Sequence, residues 1–71
     1  MNTKDEIIAD MRRTIRDSTA AIERLRAGDY TGFRYCSGPE AAEYIIENRF
    51  EQAIRGARRV IDDLTTPEDL A

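Results

Sequence analysis

The fold class predicted for this chain is all-α: a two-helix antiparallel hairpin dimerising into a four-helix bundle. Three observations predict it. Apolar residues recur at three- and four-residue spacings on both sides of a single interruption, and a helix-start signal heads each periodic stretch. The third is size: 71 residues make one small domain, residues 1–71, whose own core is thin.

Helix 1 is expected from about Thr3 to Ala27. Thr3-Lys4-Asp5-Glu6 is a capping-box pattern, in which the Thr3 hydroxyl accepts from the Glu6 amide and the Glu6 carboxylate reaches back. Ile8, Met11, Ile15, Ser18, Ile22 and Leu25 then form a heptad seam, widened on one side by Ile7, Thr14 and Ala21. Arg24 and Arg26 suit the negative end of the helix dipole, and Gly28 tolerates a left-handed cap.

The interruption is residues 28–38, which hold three of the five aromatic residues and the single cysteine. It is longer than the roughly two to eight residues usual between bundle helices.

Helix 2 is expected from about Pro39 to Thr65. Ser37-Gly38-Pro39-Glu40 reads as a second capping box with proline in the first turn. The apolar set Ile46, Phe50, Ala53, Ile54, Ala57, Val60, Ile61 and Leu64 fills three heptad columns, which implies more than one neighbour. Gly56, between Ala53 and Ala57, suggests a close helix crossing. Thr66-Pro67 should stop the helix and leave residues 68–71 as a frayed tail. Two hairpins covering each other's stripes give the expected homodimer.

Composition narrows function. With no histidine, general-base and metal chemistry start with few candidates, and no catalytic residue, metal or cofactor is expected. Apolar runs such as Ile7-Ile8 and Tyr44-Ile45-Ile46 fall far below the roughly 20 residues of a membrane span. The acidic start, Met1 to Glu6, lacks the basic region of a signal peptide, so a cytoplasmic protein is expected, with Cys36 reduced and half-buried. Net charge is −3 and no segment carries a marked basic excess, which disfavours nucleic-acid binding.

Three groups of residues could carry chemistry. Glu43, Glu47 and Glu51 form a carboxylate ridge, and Glu40-Ala41-Ala42-Glu43 resembles the E-x-x-E element of all-helical nucleotide pyrophosphatases of the MazG type. The second E-x-x-D that such metal-dependent hydrolysis requires is missing after Glu51. Among the arginines, Arg13 has Asp17, Arg55 has Glu51, and Arg58 and Arg59 have Asp62 and Asp63 one turn away. Arg12 and Arg16 have no local acid in that sense.

The connector is the third group. Tyr30, Phe33, Arg34 and Tyr35 gather rings and a guanidinium at the start of helix 2, whose free amides could take an anion. Either Phe33 and Tyr35 fold back to plug the open end of the bundle, or the group forms a binding surface. The expected function is that of a non-enzymatic adaptor or inhibitor binding a larger protein through this connector. The alternative is a nucleotide or small-anion binder using Tyr30, Arg34, Tyr35 and Arg12 or Arg16 at a subunit interface, and a nucleic-acid binder ranks third.

Overall fold

The computed structural model describes residues 3–65, which form two antiparallel helical rods joined by a tightly folded connector. The described residues contain no strand, and none of their helices is long and apolar enough to cross a membrane.

Helix α1 spans Lys4–Arg26. Thr3 caps it in extended conformation, its hydroxyl accepting from the Glu6 amide at 3.2 Å, and Asp5 and Glu6 occupy the positive end of the helix dipole. The seam faces inward along its whole length. Ser18 and Leu25 are buried, Ile8, Met11, Ile15 and Ile22 are half-buried, and the flanking column Ile7, Thr14 and Ala21 is half-buried too.

The other end of α1 closes in a Schellman motif. The Gly28 amide donates to the Leu25 carbonyl at 3.2 Å and the Asp29 amide to the Arg24 carbonyl at 2.9 Å, with Gly28 at φ +86°. In such motifs the residues at the Arg24 and Asp29 positions usually make an apolar contact. Here they make an ion pair, Arg24 Nε to Asp29 Oδ2, at 3.2 Å.

The second rod has three parts: α2, Pro39–Ile45; a π-helical turn, Ile46–Phe50; and α3, Glu51–Leu64. Right-handed helical angles at Ile45, Ile46, Phe50 and Glu51 make the rod continuous. Its start corrects the expected second capping box. Gly38 is the cap, in extended backbone with no side-chain hydrogen bond, and Ser37 takes no part; Pro39 does occupy the first helical position, where its missing N–H is harmless. The rod ends at Leu64 because Thr65 turns extended (ψ 109°), its hydroxyl and amide both donating to the Ile61 carbonyl, at 2.7 and 2.9 Å. The Thr66-Pro67 stop and the frayed tail at residues 68–71 lie outside the described residues.

The π turn decides which side chains of the rod face α1. Its wider ring, marked by the Glu51 amide donating to the Ile46 carbonyl, holds one more residue than an α turn, so α3 lags by about one position. Val60 follows Ala42 by eighteen residues, which in an unbroken helix of 3.6 residues per turn is about five whole turns and the same face. Ala42 is buried, but Val60 is 36% exposed, and Ile61 turns inward in its place. The expectation that Val60 belongs to the apolar face is therefore corrected. So is the crossing at Gly56, which is exposed with open space where a Cβ would stand; Ala57 is the small residue that is buried.

The best-formed core lies at the connector end. Leu25, Ala42 and Ile46 are buried there, with Ile22, Tyr30, Phe33, Cys36, Ile45 and Phe50 packed around them. Away from this end the apolar residues of α1 and α3 are mostly only half-covered.

Candidate functional site

The connector is built from two consecutive β-turns that share Phe33. In the first, the Phe33 amide donates to the Tyr30 carbonyl at 3.0 Å, and Gly32 supplies the positive φ (+89°) that a type II turn requires at its third position. In the second, the Cys36 amide donates to the Phe33 carbonyl at 3.4 Å, so Arg34 and Tyr35 occupy the two corner positions. Turn geometry thus sends the shared residue inward and the corner residues outward.

Phe33 meets Phe50 edge to face, ring centroids 5.9 Å apart at 87°, and the Arg24 guanidinium lies 5.8 Å from its centroid. Tyr30 and Cys36 pack on the same cluster, Cys36 as the half-buried free thiol expected, its Sγ 3.8 Å from the Gly38 carbonyl oxygen. Tyr35 is 87% exposed. The expected plug of Phe33 and Tyr35 is therefore corrected: Phe33 closes the end of the hairpin together with Tyr30, while Tyr35, at a turn corner, projects from it beside Arg34.

A clasp at the base holds the connector in place. Asp29 accepts the Thr31 amide at 3.1 Å in an Asx-turn and pairs with Arg24 on its other oxygen. Arg24 Nη2 also donates to the Thr31 carbonyl at 2.6 Å. The Thr31 hydrogen bonds, and then Arg24, hold the Asp29 carboxyl below its ordinary range. Sequence reasoning placed Arg24 only at a helix end; its spacing from Asp29 across Gly28 was the available signal.

Beside the corner lies an open groove lined by Gly32, Phe33, Arg34, Tyr35, Ile45 and Arg49. Ile45 and Arg49 come from the second rod, one turn apart, and were not picked out from the sequence. Arg49 is placed by the Phe50 ring, whose centroid is 5.1 Å from its guanidinium carbon.

The remaining predicted site residues stay away from the connector within one chain. Arg16 and Arg12 precede Arg26 by ten and fourteen positions, about 15 and 21 Å along the helix axis. Both are exposed, and Arg16 Nε lies 3.6 Å from Asp17 Oδ1. Arg13 pairs with Asp10 at 3.8 Å, so the expected pairing of Arg13 with Asp17 is corrected. Arg55 does pair with Glu51, at 3.9 Å, but among the described residues Arg58 and Arg59 make no ion pair with Asp62 or Asp63.

The carboxylate ridge is partly neutralised from the other helix. Arg26 of α1 reaches Glu43 at 3.4 Å and Glu51 at 3.9 Å. Eight residues span about 2.2 turns of regular α-helix, which would swing these two acids apart; the residue added by the π turn brings them back to nearly two whole turns. Among the described residues no group of three or more acidic or cysteine side chains is placed to hold a metal ion.

Compared with family models, curated proteins and solved structures, the chain matches none.

Proposed function

We propose that this protein is a small non-enzymatic interaction protein, an adaptor or inhibitor, that docks onto a larger protein through the connector corner. The observation that carries the reading is Tyr35, 87% exposed on a turn whose first residue, Phe33, is pinned to Phe50. An aromatic ring held out by a fixed backbone loses little conformational freedom on binding, and tyrosine and arginine are the residue types enriched at interface hot spots. Arg34 stands beside it, exposed.

The same reading includes a homodimer. A second hairpin laid along the half-covered stripe, Ile8, Met11 and Ile15 on α1 and Ile54, Ile61 and Leu64 on α3, would complete a four-helix bundle. Sedimentation at micromolar concentration is expected to give the dimer mass; a stably folded monomer there would remove this part.

The test of docking is capture of a co-purifying partner by the full chain and by an Arg34→Ala/Tyr35→Ala variant. Capture should be lost while helicity and melting temperature stay near wild type, since neither side chain is buried. Undiminished capture would take the connector out of the interface. Phe33 is unsuitable for this purpose because truncating it also disturbs the core.

A further inference from the structure

The groove beside the connector corner differs in electrostatics from the other clefts of the hairpin. The α1–α3 cleft is lined by Glu23 and Glu51 as well as by arginines, and two of its three arginines are paired: Arg26 bridges Glu43 and Glu51, and Arg55 pairs with Glu51. The corner groove is lined by two arginines and no carboxylate. Among the described residues neither Arg34 nor Arg49 forms an ion pair, and the contact of Arg49 with the Phe50 ring orients its charge without cancelling it. A protein of net charge −3 thus keeps two uncompensated cations around one apolar floor, made by Phe33 and Ile45.

We infer that this groove takes an acidic peptide segment carrying a bulky apolar side chain, as an exposed stretch of the partner protein. The inference rests on the docking role proposed above and names the chemistry of what docks. An apolar side chain of the segment lies on Phe33 and Ile45 with Tyr35 as the wall, and flanking carboxylates meet Arg34 and Arg49. Two guanidiniums suit one or two carboxylates. A nucleic-acid backbone would need a longer run of cations than this acidic chain offers. The floor is preorganised, because the Phe33–Phe50 contact and the two turns fix it before any ligand arrives.

The experiment titrates the full chain against three fluorescein-labelled hexapeptides by fluorescence polarisation. They are Asp-Glu-Leu-Phe-Glu-Asp, the same peptide with lysine for every acid, and the same with alanine for leucine and phenylalanine. The first should bind, its affinity falling with added salt, and both controls should bind at least about tenfold more weakly. Arg34→Glu, which disturbs no packing, should weaken the acidic peptide by about tenfold or more, and amide shifts on binding should centre on Gly32 to Tyr35 and Ile45 to Arg49. Equal binding of acidic and basic peptides, an unaffected Arg34→Glu variant, or shifts centred on the α1–α3 cleft would each overturn the inference. If partner capture depends on Arg34 and Tyr35 yet the acidic peptide does not bind, the acidic-segment inference falls and the docking role survives. If neither holds, both fall.

Discussion

Neighbouring residues of the connector divide its work, and substitution should separate them. Phe33→Ala removes the ring that meets both Phe50 and the Arg24 guanidinium, and should lower stability by about 2 kcal/mol, below the range for a fully buried phenylalanine because Phe33 is only half-buried. Tyr35→Ala should change stability by less than about 0.5 kcal/mol. Chemical denaturation of the two variants checks both. Glycines give a second pair with opposite signs. Gly28→Ala forces an alanine into φ +86° and should cost about 1 kcal/mol, whereas Gly56→Ala, on an exposed helical position with open space around it, should stabilise by about 1 kcal/mol. Asp29 adds a pH signature. Its folded-state pKa lies below the ordinary 3.8, so its contribution is fully present above that value and fades as pH falls through the lower, folded-state pKa. Carboxyl-detected NMR should find Asp29 titrating below 3.8, and Arg24→Ala should move it up.

At the scale of elements, regular periodicity was legible and its interruption was not. The seam of α1, its Thr3 cap and its Gly28 terminus could all be read because each rests on contacts within a turn or two of chain. Ser37 misled because the serine that suits a capping box stands one residue before the cap that proline selects: with Pro39 at the first helical position, Gly38 becomes the cap. The π turn was hidden for a different reason. No residue type specifies it; the phase of the buried residues does, and Ile61 takes the place that the 18-residue count from Ala42 gives to Val60. Asn48 supports the turn by donating its side-chain amide to the Tyr44 carbonyl at 3.0 Å, where the backbone ladder changes register. Deleting Asn48 should remove the extra residue and restore a regular helix without turning α3, because Ile61 would then follow Ala42 by eighteen residues, about five whole turns. Ile54, Ala57 and Ile61 would stay on α1, and cooperative thermal unfolding should persist; its loss would show that the turn does more than absorb one residue. For the candidate site, composition pointed to the connector. The division of its rings into inward and outward sets follows from two turns sharing Phe33, which composition does not encode.

As a whole the molecule is a rod, 47 × 22 × 16 Å, with a Cα radius of gyration of 14.9 Å against roughly 11 Å expected for a compact globule of this length. Two helices side by side form one layer, and one layer cannot enclose its own apolar stripe. Stability should therefore depend on protein concentration if the proposed dimer forms, the melting temperature rising with dilution reversed. Substituting Ile15→Asp on the half-covered stripe should abolish that dependence.

The outward corner of the connector also has a consequence for the integrity of the backbone. Arg34 is the one arginine among the described residues that lies outside a helix, and the peptide bond after it sits at the tip of an exposed turn. Brief trypsin treatment of the native protein should cut there first, giving two fragments of nearly equal mass. Because Phe33 and Cys36, on either side of the cut, are both anchored in the core, the halves should stay associated, so the hairpin could be reassembled from two separately made chains.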